Sequence, residues 1–314
     1  MKEYHKSSVG IDISKHHLDV YHLPSGEYRR YKNTLPDVQQ CIKWLKDSAT
    51  QRIVFEPSGG YEKLLRQELS QQKQPFSMVN AAMVRYFARA KGVLVKTDKV
   101  DAVVLAEYGE RLDPRHSSFE CPDRSSLKEW LSVRRHVIEQ IKIETQRLEH
   151  TANHVIIDFI HQTIRHYREQ QSIAEEHIRN LISATPTFLR VQQVLMEEKG
   201  VGEVTAATLI ADCPELGVLT HPQISALIGV APYSHDSGTH AGLRRTKGGR
   251  KRIRNALYMS VISAIRSNPK IKAFYQRLRS KGKKAKVAIT ACIHKLIIIL
   301  NAKLRNHYHA LNLI

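Results

Sequence analysis

The chain has 314 residues, 42% of them hydrophobic and 25% charged, which is ample for a core and suggests two or three domains. It carries 49 Lys and Arg against 30 Asp and Glu, a formal net charge of +19; no acid follows Asp236, where nineteen cations remain, so the first 236 residues balance at 30 of each sign. A one-sign field of that size is the footprint of a polyanion partner, and it argues against a basic tail that merely keeps the protein soluble and against membrane-surface binding.

The chain opens without the apolar stretch of a signal peptide, so secretion is not expected. Strand patterns run over 8–13, 17–23 and 27–32, with Pro24-Ser25-Gly26 folding the second onto the third. A helix near 36–47 carries Val38, Cys41, Ile42 and Leu45 at helical spacing. The β-branched run Arg52-Ile53-Val54-Phe55-Glu56 is a fourth strand, followed by a helix through Leu64, Leu65 and Leu69. A fifth strand from Pro75 to Val79 and helices near 80–90 and 98–112 complete the unit. Three antiparallel strands followed by alternating helices and strands is the order of an α/β RNase H-like domain, expected over 1–115.

From 116 to 190 the pattern is that of a helical, coiled-coil-like arm, with Leu127, Trp130, Leu131, Ile138, Ile141 and Leu148 as its apolar stripe. Its expected role is dimerisation or spacing. A mainly α C-terminal domain is expected over 191–314. There Gly200-Val201-Gly202 separates helices at Val191–Glu198 and Glu203–Ala211. This reads as a helix-hairpin-helix whose turn offers N–H groups to a phosphate, or as a plain interhelical turn. A short helix near 221–228, a Gly- and Ser-rich basic loop over 231–250, and helices near 250–267, 270–280 and 284–305 follow. The apolar run Val287 to Leu300 is interrupted by His294 and Lys295 and is too short to span a bilayer. Cys41, Cys121, Cys213 and Cys292 are far apart and fit no metal spacing, which suits reduced thiols in a cytosolic protein.

Four carboxylates carry the chemistry. Asp12 interrupts the apolar run Val9-Gly10-Ile11-Asp12-Ile13, and Glu56 ends the fourth strand before Pro57-Ser58-Gly59-Gly60. Asp98 and Asp101 open the helix after Lys96-Thr97, and their spacing of three sets both on one face. An unpaired carboxylate at a core edge costs several kcal/mol or loses its charge. Bound Mg²⁺ or Mn²⁺ removes that penalty, and converging acids of this kind serve in-line attack on a phosphodiester. In an RNase H-like fold the first strand, the fourth strand and the last helix supply such ligands. Asp12, Glu56 and the Asp98/Asp101 pair occupy those three elements.

A second candidate lies in the basic loop. Ser237 and Gly238 precede seven cations: Arg244, Arg245, Lys247, Arg250, Lys251, Arg252 and Arg254. Gly238, Gly242, Gly248 and Gly249 would let backbone approach a ligand. A serine beside guanidinium groups could attack phosphorus, although loop serines are more often turn or cap residues.

These segments resemble the DEDD transposases of bacterial insertion sequences, the IS110 family, which also contains DNA invertases. The resemblance runs through Gly10-Ile11-Asp12-Ile13-Ser14-Lys15, Glu56-Pro57-Ser58-Gly59-Gly60-Tyr61-Glu62 and Lys96-Thr97-Asp98-Lys99-Val100-Asp101-Ala102. It continues through Gly200-Val201-Gly202, Leu227-Ile228-Gly229-Val230-Ala231-Pro232, Ser237-Gly238, Gly248-Gly249-Arg250 and Arg254-Asn255-Ala256-Leu257-Tyr258-Met259. Ser58 departs slightly, standing where the family often has Thr. The resemblance implies a RuvC-like N-terminal domain whose acids at 12, 56, 98 and 101 hold Mg²⁺ (or Mn²⁺). It also implies a C-terminal transposase domain whose nucleophile is Ser237, cutting and rejoining donor and target DNA through a 5′-phosphoserine link. Implied partners are DNA, a structured guide RNA as in some members, and further copies of the chain in a dimer or tetramer whose composite sites join one subunit's acids to another's serine. The implied location is the bacterial cytoplasm, at the nucleoid.

Two other readings stay open on the residues alone. One is a metal-dependent nuclease of the junction-resolvase type with Ser237 purely structural; the other is a DNA-binding scaffold. Retention of all four acids argues against the scaffold, and the motifs from 227 to 259 argue against a plain resolvase.

Overall fold

The computed structural model describes residues 7–48, 50–117, 119, 121–233 and 245–312. The chain forms two compact units, Met1–Cys121 and Pro122–Ile314.

The first unit is built on a five-stranded mixed sheet of order β3-β2-β1-β4-β5. Its strands are β1 (Ser8–Ile13), β2 (His17–His22), β3 (Glu27–Lys32), β4 (Arg52–Phe55) and β5 (Phe76–Met78); its helices are α1 (Leu35–Asp47), α2 (Lys63–Gln71), α3 (Ala81–Ala90) and α4 (Asp98–Leu112). β1, β2 and β3 pair antiparallel, while β1, β4 and β5 run parallel. A mixed sheet in this order is compatible with an RNase H-like domain. Alternation along the strands divides the side chains. Val9, Ile11, Ile13, Ile53 and Phe55 pack with the buried faces of α1 and α2, through Val38, Ile42, Leu45, Leu65 and Leu69. Val54 on the opposite face packs with Val84 of α3 and with Val104 and Leu105 of α4.

Gly10 decides where α4 lies. A Cβ on Gly10 would stand 2.0 Å from the carbonyl oxygen of Ala102 and 2.3 Å from the amide of Ala106, so helix backbone rests directly on β1. At the other end, Gly109 faces Ser8, Val54 and Arg52. The helix therefore runs against the direction of β1. Ser8 to Asp12 spans about 13 Å of strand, and Gly109 to Asp101 about 12 Å of helix. The first turn of α4 thus arrives level with Asp12.

The second unit is helical. Its elements are α5 (Pro122–Leu148), α6 (His154–Ala184), α7 (Pro186–Met196), α8 (Glu203–Asp212), α9 (His221–Ile228), β6 (Pro232–Tyr233), β7 (Arg245–Thr246), α10 (Lys251–Ser267), α11 (Pro269–Ser280) and α12 (Ala285–Ala310). α5 and α6 form a long hairpin, cross-linked by Arg134 Nε to Glu175 Oε1 at 2.8 Å and by the stacked Trp130 and His177 rings. Leu127, Leu131 and Val137 are its buried α5 residues. Trp130, Ile138, Ile141 and Leu148 from the expected stripe are only half-buried.

Three expectations are refined here. Gly200 has φ of +103°, and a Cβ on it would meet Ala264 of α10 at 2.6 Å, so this glycine serves helix packing. Glu203 opens α8, where its charge already complements the helix N-terminus. Packing thus explains Gly200, while Gly202 is exposed with open space around it. The basic loop is also not irregular throughout, because β6 and β7 pair antiparallel, Pro232 with Thr246 and Tyr233 with Arg245. Finally, α12 is longer than the apolar run suggested, 26 residues, and is apolar enough to cross a membrane by composition. Its apolar residues, among them Cys292, Leu296, Ile297 and Leu300, are buried in the core of this unit, which gives the helix a packing role.

Candidate active site

The pleat explains why two distant acids meet. Gly10 of β1 pairs with Val54 of β4, and both face α4. Counting two residues on along each parallel strand gives Asp12 and Glu56, side by side on the same face at the strands' carboxyl ends. Asp98 and Asp101 descend from the first turn of α4, whose N-cap Thr97 accepts a hydrogen bond from the amide of Val100 at 3.3 Å.

Electrostatics records the convergence. Burial, followed by the charges of Asp101, Asp98, Glu56 and Asp19, pushes the Asp12 carboxyl up to about 6. Burial and Asp101 raise Glu56, partly offset by Lys96 and Arg85. Asp101 is raised by burial and Asp98, against the same two cations. All four expected acids therefore belong to one cluster.

Asp19 is a fifth acid that the sequence reading missed. It sits opposite Asp12 in the antiparallel β1–β2 register and is 1% exposed. Arg30 Nε donates to Asp19 Oδ1 at 2.8 Å, Tyr28 donates its hydroxyl to the same oxygen, and Arg30 Nη2 reaches Asp98 Oδ2 at 3.1 Å. The available signal was an acid on β2 facing Asp12, which needs the hairpin register to be seen. Glu62 is the other hidden participant. Its Oε2 accepts from the amides of Gly60 and Ser58, at 2.8 and 3.1 Å, and from the Ser58 hydroxyl at 3.0 Å. Burial alone would raise its carboxyl, but these donors hold it below the usual range. Glu62 thereby ties down the loop that follows Glu56. The Ser58 hydroxyl donates there as a Thr hydroxyl would.

Carboxylate oxygens are the hard donors that Mg²⁺ and Mn²⁺ accept, and like charges pressed together by burial are what a divalent cation relieves. With these rotamers no three His, Cys, Asp or Glu side chains among the described residues stand close enough to share an ion. The backbone places Asp12, Glu56, Asp98 and Asp101 together. Asp98 Oδ2 is engaged by Arg30 Nη2.

In the second unit Ser237 and Arg244 lie outside the described residues, and β6 and β7 bracket the segment that holds them. The side chain of Arg245 is likewise not described, and the other five cations divide into two groups. Arg250 binds Glu215 through both terminal nitrogens, at 2.7 and 2.6 Å, and donates to the Asp212 carbonyl at 2.8 Å. Arg254 Nη1 donates to the carbonyls of Gly248 at 2.8 Å and Ile228 at 3.2 Å. These two guanidiniums hold the protein together, contrary to the expectation that they face a polyanion. Lys247, Lys251 and Arg252 are exposed. The expected role of Gly249 changes for the same reason: a Cβ there would meet the Gly229 amide at 2.1 Å, so its close approach is to protein backbone.

Residues 9–157 match the DEDD family of IS110 type described as transposase, and residues 192–276 match the family described as transposase IS116/IS110/IS902. The pilin gene-inverting proteins of Moraxella bovis and Moraxella lacunata are each 28% identical, over 96% of this chain and 97% of their own length. An uncharacterized 43.6 kDa protein of the insertion element IS110 in Streptomyces coelicolor is 26% identical over 48% of this chain and 37% of its own.

Proposed function

The chain belongs to the IS110 family of insertion-sequence transposases and acts as a DNA transposase or recombinase, and from that premise we propose that it cuts and rejoins DNA with two sets of groups: the carboxylates Asp12, Glu56, Asp98 and Asp101, and the hydroxyl of Ser237. The observation that carries the reading is the desolvated cluster of like charges around Asp12. Protein cores do not retain such a cluster without use for it.

In this proposal the four acids would hold Mg²⁺ or Mn²⁺, Asp98 giving up its contact with Arg30, while Arg30 and Tyr28 keep the buried Asp19 satisfied beside them. A divalent cation there supplies neutralisation of the charge on phosphate oxygens. Ser237 Oγ attacks phosphorus as the bond to the 3′-oxygen breaks. The serine proton passes to solvent, and the leaving oxygen takes one up. The resulting 5′-phosphoserine keeps the bond energy, so attack by another strand's 3′-hydroxyl reseals DNA without ATP and restores the serine. Lys247, Lys251 and Arg252, with the exposed cations of α11, offer phosphate contacts for long nucleic acid. A structured guide RNA and the DNA strands are the proposed occupants, which locates the protein at the nucleoid in the cytoplasm. Ile143, Val155, Ile156 and Phe159 flank the turn of the α5–α6 hairpin with their side chains exposed, which supports assembly into a dimer or tetramer.

Ser237→Ala should bind DNA yet yield no protein–DNA adduct on a nicked substrate that cannot be resealed. Ser234→Ala should keep both activities. Mass spectrometry of the protease-digested adduct decides the matter: a nucleotide on Tyr233 or Ser234, or wild-type cleavage by Ser237→Ala, removes the serine from the reaction. Wild-type cleavage by Asp12→Asn removes the carboxylates.

A further inference from the structure

Beside the carboxylates, between α3 and α4, opens a cavity of about 320 Å³. Glu56 and Asp101 line it, and Arg85, Arg89 and Lys96 supply its positive charge. Arg85 and Arg89 are one helical turn apart on α3, and Lys96 comes from the link before α4. All three are exposed, and none is held by a hydrogen bond or ion pair among the described residues. The remaining wall is apolar, with Val84 and Ala88 from α3. Leu94 and Val95 complete it at 88% and 67% exposure, open to a ligand.

We infer that this cavity receives a single nucleotide of the strand being cut, its phosphate against Arg85 and Lys96 and its sugar and base against Val84, Ala88, Leu94 and Val95. The inference rests on reading the carboxylates as the cutting centre. Three features favour this occupant. The volume lies near the lower bound of small-molecule pockets, about 300 Å³, which suits one nucleotide and excludes a base pair. The charged groups on the wall are three cations and the two centre carboxylates, so a phosphate finds its donors at the cations. The apolar surface offers no hydrogen-bond pattern for a particular base, so the recognition is of backbone and of an unpaired base face, tolerant of sequence. Arg85 and Lys96 are placed to meet a phosphodiester gaining negative charge as it is attacked.

The test uses the full chain and a short single-stranded DNA carrying 4-thiothymidine, photo-cross-linked in the presence of Ca²⁺ and mapped by mass spectrometry. Cross-links within residues 81–96 are expected. Arg85→Gln and Lys96→Gln should each lower their yield about tenfold, the effect of one charge-assisted phosphate contact. Arg85→Lys should restore most of it, and Leu94→Ser with Val95→Ser should lower it several-fold. Cross-links to residues 245–286 serve as the internal control and should not change, which separates loss of the subsite from misfolding. Cross-links confined to the second unit, or an unchanged yield over 81–96 in both Gln variants, would overturn the subsite while leaving the cutting centre intact. Wild-type cleavage by Asp12→Asn, in contrast, would sink the cutting centre on which the inference depends.

Discussion

The strand ends of the sheet unit and the helical unit treat half-buried charge differently. In the helical unit three such acids have their own counter-ions or donors. Glu215 is held below its ordinary range by Arg250 despite burial, Glu175 by Gln171 and Arg134, and Glu198 meets Lys303 at 3.1 Å and Asn268 at 2.6 Å. In the sheet unit Asp12, Glu56 and Asp101 face one another and all are pushed upward. Paired charge is what a fold arranges for its own stability, whereas clustered like charge lowers stability and is retained for a ligand. The comparison also sorts the cations: Arg250 and Arg254 belong with the paired set, while Lys247, Lys251 and Arg252 remain on the surface.

The largest expected effect comes from removing the feature that creates the acid cluster. Gly10→Ala inserts a Cβ 2.0 Å from the Ala102 carbonyl oxygen, so α4 must leave the sheet or the strand must buckle. Overpacking against backbone should cost about 3 kcal/mol or more, read as a fall in melting temperature of roughly 10 °C or more. Cleavage should disappear with it, because Asp98 and Asp101 ride on α4. A variant that melts within a degree or two of wild type would mean that α4 does not depend on Gly10.

Next in size is the paired set. Arg250→Met leaves Glu215 without its bidentate partner, and because both side chains are about a third exposed the loss should be about 1–3 kcal/mol, below that of a fully buried pair. Arg250→Met with Glu215→Gln should recover part of it in a double-mutant cycle. The triple variant Lys247→Gln, Lys251→Gln and Arg252→Gln should change stability by only about 0.5 kcal/mol while lowering the salt dependence of duplex binding by roughly 0.9 for each phosphate no longer neutralised. If Arg250→Met alone flattens that slope in a fully folded protein, the division between paired and free cations fails.

The smallest effect has an unusual sign. The folded Asp12 carboxyl titrates near 6 against an ordinary 3.8, so between those values the folded chain holds a proton that the unfolded chain has lost. Metal-free protein should therefore lose stability as pH rises through that window, with Glu56 and Asp101 acting in the same direction. In chelator at neutral pH, Asp12→Asn should melt higher than wild type by roughly 2–5 °C, an estimate reduced for the partial solvent access of the group. The difference should vanish below about pH 4, and added Mg²⁺ should stabilise wild type more than the variant. A lower melting temperature for Asp12→Asn in chelator at neutral pH would show that the carboxylate is paired after all.

The sequence by itself determined the features that are local. The strand periods at 8–13 and 27–32, the spacing of Val38, Cys41, Ile42 and Leu45, and the i, i+3 placement of Asp98 and Asp101 all rest on backbone geometry that repeats within a few residues. An acid interrupting an apolar strand was visible for the same reason. What only the tertiary structure decided are pairings across long separations. Asp19 joins the acids through the β1–β2 register, Arg250 reaches 35 residues back to Glu215, and Gly229 meets Gly249 backbone to backbone. A cation beside glycines looks alike in sequence whether it faces a phosphate or, as Arg250 does, a carboxylate. The difference lies in which element packs beside it, and a three-dimensional core sets that by excluding water from some charges and leaving it to others.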